Sequence, residues 1–215
     1  MNANMVWRRC ARYHLLRART WVFLSGLLWV VLSPCAAAAH PHVWIDAQVE
    51  IITQGTAVLE LAQQWRFDPF FSSLMIEDFD KDKNGVFDGA ETLALRKGAF
   101  DNLKNFDFFT HFTIAEQRSG AAEAKGFRAS IENGTLIYRF VTPLPHSVDP
   151  HQVPLVFSIH DESFYVNVRV PGDWFVRFRE GSGRDCTVSL EDDKGRPLYL
   201  GAFFPTNVEV RCGAQ

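Results

Sequence analysis

Phe127-Arg128-Ala129-Ser130-Ile131-Glu132-Asn133-Gly134-Thr135-Leu136-Ile137-Tyr138-Arg139-Phe140-Val141 is the stretch that decides the fold class. Apolar side chains alternate on both sides of Asn133-Gly134, a dipeptide suited to a two-residue hairpin turn. Such a turn pairs Ile131 with Leu136, Ala129 with Tyr138 and Phe127 with Phe140, so that all six side chains share one face. Turn chemistry and hydrophobic pattern agree on a β-hairpin.

The same period of two recurs on either side. Val43, Ile45, Ala47, Val49 and Ile51 alternate with His42, Trp44, Asp46, Gln48 and Glu50. Gln54-Gly55 turns this strand into a second one, which ends near Trp65-Arg66-Phe67. Residues 106–114 are aromatic-rich and read as a strand. Residues 155–160 and 164–170 read as a hairpin around Asp161-Glu162-Ser163, and 174–179, 186–191 and 208–212 read as further strands. Residues 118–125 read as a long exposed loop.

One segment breaks the β pattern. Asp80-Lys81-Asp82-Lys83-Asn84-Gly85-Val86-Phe87-Asp88-Gly89-Ala90-Glu91 fills a twelve-residue EF-hand loop. Oxygen-bearing side chains stand at loop positions 1, 3, 5, 9 and 12 (Asp80, Asp82, Asn84, Asp88, Glu91), Gly85 takes the sharp turn, and Val86 offers its carbonyl. Asp68-Pro69 opens an incoming helix that runs to about residue 79, and Asp88 caps an outgoing helix to about residue 104. An oxygen-only set of this kind suits Ca²⁺. A single loop, strained when empty by its own carboxylates and by Glu77 and Asp78, suits a structural clip at the weak end of the range, roughly 10⁻⁴–10⁻³ M. The expected fold is therefore α+β: a mostly antiparallel, sandwich-like β domain spanning 40–215, with an EF-hand helix-loop-helix inserted at 68–104.

Residues 1–39 read as a secretory signal. Arg8, Arg9, Arg12, Arg17 and Arg19 precede a short apolar core at 21–32, followed by Ser33-Pro34-Cys35-Ala36-Ala37-Ala38-Ala39. Cleavage after Ala39 makes His40 the mature N-terminus, and cleavage after Ala38 fits the small-residue rule nearly as well. Without those five arginines the chain carries 17 basic against 25 acidic residues, a net charge of −8. That balance excludes the basic footprint of a nucleic-acid-binding protein. The reading is a periplasmic protein that does not span the membrane after cleavage. Cys186 and Cys212 then remain as an even pair in an oxidising compartment, most simply one disulfide.

His40-Pro41-His42 is a second candidate site, because residues two apart on a strand face the same way. His40 and His42 could hold Zn²⁺, Ni²⁺ or Cu²⁺, with His160 and Asp161 as further ligands. If His40 is the terminus, its amine and imidazole could also form a copper-binding histidine brace. Pro41 has no amide proton, which rules out the terminal copper motif that needs a deprotonated second amide. His146 and His151 lie in a proline-bounded loop and read as solvent-exposed. No nucleophile elbow, zincin helix or phosphate-cradling loop is present, which argues against an enzyme.

These motifs together resemble an uncharacterised family of bacterial periplasmic proteins, described as the periplasmic component of an ABC-type transport system. Its genes often lie near nickel/cobalt or zinc transport systems. The matching residues are His40-Pro41-His42-Val43-Trp44-Ile45-Asp46 and Trp65-Arg66-Phe67-Asp68-Pro69-Phe70-Phe71-Ser72. The acidic loop, Phe108-Phe109-Thr110, Asp161, Phe164-Tyr165, Cys186, Gly201-Ala202-Phe203-Phe204 and Cys212 follow in order. The chain departs at His160-Asp161-Glu162-Ser163-Phe164-Tyr165, where the family tends to show Asp-Pro and a Tyr-Tyr pair. The resemblance implies a membrane metal transporter or ABC-type system as partner. The expected function is that of a metal-binding accessory protein, with Ca²⁺ in the loop and a transition metal at the histidines. The alternatives are a calcium-stabilised interaction module and a mono-copper enzyme.

Overall fold

The structure is a computed structural model and describes residues 41–170, 175–179 and 183–213. All belong to the unit His40–Gln215. Two sheets pack face to face. One contains β1 (Val43–Gln54), β2 (Ala57–Phe67), β5 (Lys125–Glu132), β6 (Thr135–Val148), β8 (Val166–Arg169) and β9 (Val176–Phe178), in the order β5-β6-β2-β1-β8, with β9 also on β1. The other contains β3 (Thr110–Ile114), β4 (Gln117–Gly120), β7 (Leu155–Ile159), β10 (Cys186–Asp192) and β11 (Thr206–Cys212), in the order β10-β11-β7-β3-β4.

The alternation of β1 and β2 works as their sequence suggests. Ile45, Ala47, Val49, Ile51, Leu61, Gln63 and Trp65 are buried, and the residues alternating with them face out. Trp65 stacks on Phe109, the residue just before β3 of the facing sheet, at 5.8 Å and meets Phe140 edge-on at 4.8 Å. Gln63, Thr110 and Thr142 bring polar side chains into this core, and hydrogen bonds join them. Gln63 donates to Thr110 and Thr142 at 2.8 Å each and accepts from the Trp65 indole at 3.0 Å, so it bridges both sheets.

Between β2 and β5 lie α1 (Pro69–Phe79), α2 (Gly89–Gly98) and a 3₁₀ segment, Phe100–Phe109. Asp68 caps α1 by accepting from the Phe71 amide, and it also holds the start of β1 by accepting from the Trp44 amide, both at 2.9 Å. The buried Ser72 fastens α1 to the sheet, its hydroxyl accepting from the Leu136 amide at 3.0 Å.

Several expectations are corrected. The 155–170 hairpin does not form: β7 pairs with β3 and β11 in one sheet, and β8 runs parallel to β1 in the other. The reason lies at Asp161, whose carboxylate accepts from the Ser163 and Val166 amides and turns the chain across to the second sheet. The first sheet is therefore mixed, with β8 and β9 parallel to β1. The outgoing helix stops at Gly98 and not near 104, and residues 106–109 leave helical backbone in a turn with Asp107, Phe108 and Phe109 at positive φ, with strand beginning only at Thr110. Part of the expected loop at 118–125 is β4, closed onto β3 by Ala115 and Glu116, both at positive φ. Ile131–Leu136 and Ala129–Tyr138 pair as expected, but Phe127 does not oppose Phe140, because a bulge shifts the register between Lys125 and Arg128. Gly126, at φ +62°, supplies the conformation that bulge needs. Trp174 lies outside the described residues.

Candidate functional site

Two groups of metal-ligating side chains stand out among the described residues: Asp80, Asp82 and Glu91, and His111, His160 and Glu162. In each, the ligand atoms lie within 4.8 Å of one another.

The acidic group sits in the loop between α1 and α2. Gly85 adopts φ +80°, the left-handed turn required at its position. The Gly85 amide donates to Asp80 Oδ2 at 2.9 Å, and the Asn84 amide donates to Asp80 Oδ1 at 3.2 Å and Asp82 Oδ1 at 3.1 Å. Glu91 accepts from the Lys81 amide at 2.6 Å and, through its other oxygen, from the Asp88 amide at 3.0 Å. Asp88 accepts in turn from the Glu91 amide at 2.8 Å, closing a capping box that also fixes the loop. Phe87, buried in the core, anchors the loop's far side, a role that its place among acidic residues did not suggest. Asp80 and Glu91 are buried, and no Lys or Arg pairs with Asp80, Asp82 or Glu91 among the described residues. Each carboxylate oxygen keeps a second lone pair. Buried carboxylates without a counter-charge are costly, and an oxygen-coordinated cation is the compensation this donor set fits.

The imidazole group lies on the outer face of the second sheet. His111 stands opposite Ser158 in the β3–β7 register, and His160 is the next outward residue after Ser158. The rings lie 4.2 Å apart, beside a cleft of about 200 Å³ lined by His111, Arg118, Glu162 and Arg196. Hydrogen bonds set the tautomers. His111 Nε2 donates to the His160 carbonyl at 3.3 Å, and Arg196 lies 3.5 Å from His160 Nε2 as its donor. His160 Nδ1 therefore carries the proton and faces the Ser158 hydroxyl at 3.2 Å. Burial, then the neighbouring His111, then Arg196 and Arg118 push His160 down to about 3. Burial lowers His111 as well. Both rings are neutral, as ligands must be, but two guanidiniums stand where a dication would go.

The other expected site residues fall elsewhere. His40 lies outside the described residues. His42 immediately precedes β1, with its ring 4.7 Å from that of Tyr165, and it belongs to neither group. Asp161 belongs to neither as well: Ser163 and Val166 use its carboxylate to build the crossover. Cys186 and Cys212 form a disulfide across β10 and β11. His151, expected to be merely exposed, is held between two carboxylates, with Asp149 2.8 Å from Nδ1 and Asp185 2.9 Å from Nε2. Those contacts raise its pKa, the Asp185 hydrogen bond first. Among the described residues, no helix is long and apolar enough to cross a membrane.

The model of a protein family of unknown function, DUF1007, matches residues 26–212. The chain belongs to the DUF1007 family. A curated relative, an uncharacterized 15.5 kDa protein encoded in the trpE 3' region of Spirochaeta aurantia, is 31% identical over 132 residues, covering 61% of this chain and 94% of the relative. That alignment and the DUF1007 match carry no assignment of ligand or reaction. No solved structure matches the chain.

Proposed function

We propose that this DUF1007 protein is an exported metal-binding protein, not an enzyme, that holds Ca²⁺ in the 80–91 loop and serves a membrane transport system as an accessory. The observation that carries the reading is the loop itself. Three carboxylates converge within 4.8 Å, two of them buried and none paired with a cationic side chain among the described residues. Asp80, Asp82, Asn84, Asp88 and Glu91, with the Val86 carbonyl, form the proposed ligand set. Ca²⁺ would offset two of the loop's four carboxylate charges and fix the α1–α2 junction. The periplasmic location and the transport partner rest on the leader-like residues 1–39 and on the resemblance described above. The transition-metal reading at His40 and His42 stays a proposal, and His111, His160 and Glu162 form a further candidate ligand group, with rings 4.2 Å apart in its favour and Arg196, 3.5 Å from His160 Nε2, against it.

Native mass spectrometry of chelator-stripped protein, titrated separately with Ca²⁺ and with Zn²⁺, Ni²⁺ and Cu²⁺, tests the proposal. The expected result is one Ca²⁺ per chain, lost in Glu91→Gln. Absence of stoichiometric Ca²⁺ in the parent protein overturns the reading, and transition-metal binding that survives His160→Gln overturns the second site.

A further inference from the structure

The outer face of the first sheet carries a polar row that the metal reading does not use. Register places Arg128 of β5 directly opposite Arg139 of β6, Arg139 opposite Gln64 of β2, and Gln64 opposite Gln48 of β1. On the far side, Arg177 of β9 stands opposite Glu50. These residues, with Arg179, line a cleft of about 310 Å³.

Two features of the row call for a ligand. First, like charges directly opposite on neighbouring strands are destabilising, yet Arg128 and Arg139 stand so. Arg139 is compensated by Glu132 at 2.6 Å, and Arg179 by Glu50 at 3.4 Å. Arg128 and Arg177 make no ion pair among the described residues, so two guanidinium charges remain in a chain whose residues from 40 on are strongly acidic. Second, the row is polarised. Arg139 Nε donates to Gln64 Oε1 at 2.9 Å, and Gln64 Nε2 donates to Gln48 Oε1 at 3.3 Å. With its oxygen engaged, Gln48 is left with amide donors for a third partner.

We propose that this cleft binds a small dianion with carboxylate, sulfate or phosphate oxygens, gripped by Arg128 and Arg177 and oriented by the Gln48 amide. Guanidiniums fit such oxyanions through paired N–H donors. The cleft is at the small end of ligand-site volumes, which excludes a bulky occupant. The site is separate from the 80–91 loop and stands whether or not that loop takes Ca²⁺.

Isothermal titration with sodium sulfate and, separately, sodium succinate, against chloride of matched ionic strength, tests the proposal. The expected result is saturable one-site binding of at least one probe, weakened about tenfold or more in Arg128→Gln/Arg177→Gln and partly restored in the Lys variants. Preference for sulfate points to a tetrahedral oxyanion, and preference for succinate to a dicarboxylate. In anion-free buffer the Gln variant should melt no lower than the parent, because it removes the Arg128–Arg139 repulsion. No saturable binding beyond chloride, equal binding by the variant, or a large fall in its anion-free Tm would each overturn the proposal.

Discussion

The acidic loop and the imidazole pair each bring three ligand-type side chains within 4.8 Å, but their surroundings are opposite. In the loop, the carboxylates are oriented by backbone amides and left without a cationic side chain. At the imidazoles, Arg196 reaches both His160 at 3.5 Å and Glu162 at 3.6 Å, while Asp193 holds Arg118 close by at 3.0 Å. The protein has already compensated the second group and not the first. Ligand identity alone does not make a metal site; what remains uncompensated does.

The disulfide offers the largest expected separation of the two regions. Cys186 and Cys212 tie β10 to β11, and the segment connecting those strands carries both Asp193 and Arg196. Replacing both cysteines by Ala should cost about 3 kcal/mol in urea unfolding, by loss of the cross-link over a loop of this length. Ca²⁺ affinity should stay within about twofold, because the loop packs against the other sheet's β6 side through α1. A parallel loss of Ca²⁺ affinity would show that the two regions are coupled and that the contrast is wrong.

Next in size is the loop itself. Asp80→Asn removes one buried charge from the group and should weaken Ca²⁺ binding about 100-fold, or roughly 2.7 kcal/mol. Without Ca²⁺ the same change should leave Tm unchanged or raise it, because it relieves repulsion among the carboxylates. A lower Tm in chelator would mean that the carboxylates are satisfied without a cation.

The contrast also explains what the chain revealed in advance. Every feature of the loop is contiguous: Asp80 to Glu91, Gly85 at the turn and Asp88 at the cap, so residue spacing alone specifies the geometry. His111 and His160 are 49 positions apart, and Arg196 comes from a third segment. Alternation shows that His111 faces away from Phe112, but not that β3 neighbours β7. The hairpin turn Asn133-Gly134 implied Arg128 opposite Arg139, whereas the continuation to Gln64 and Gln48 required the order β6-β2-β1. Of His160 and Asp161, only His160 joins a candidate ligand group, for a related reason. Adjacent residues in a crossover point to different tasks, one into the cluster and one into the turn.

Acid stability tests the imidazole side. His160 has a lowered folded value of about 3 against an ordinary 6.5, so between these limits the unfolded chain takes up a proton that the folded chain refuses. Stability should therefore fall as pH drops below 6.5, by about 2 kcal/mol between pH 7 and 5 from His160 alone. His160→Gln should flatten that part of a denaturation-versus-pH curve. An unchanged slope would mean that His160 titrates normally and that neither its burial nor its cationic neighbours hold it down.

His151 is the reverse case and the smallest effect. Its two carboxylate partners raise its folded pKa above the unfolded value, so its contribution is complete below about pH 6.5 and disappears as pH rises through the raised value. It is exposed, so salt should screen the interaction and keep it small. Tm measured from pH 6 to 9 should show His151→Gln slightly less stable than the parent at pH 6 and converging with it at pH 9, with the gap narrowing in 0.5 M salt. The two histidines would then depend on pH in opposite senses within one fold, His160 beside arginines and His151 between aspartates. If the His151→Gln gap instead persists at pH 9 and in high salt, His151 acts by packing, and its carboxylate neighbours do not govern it.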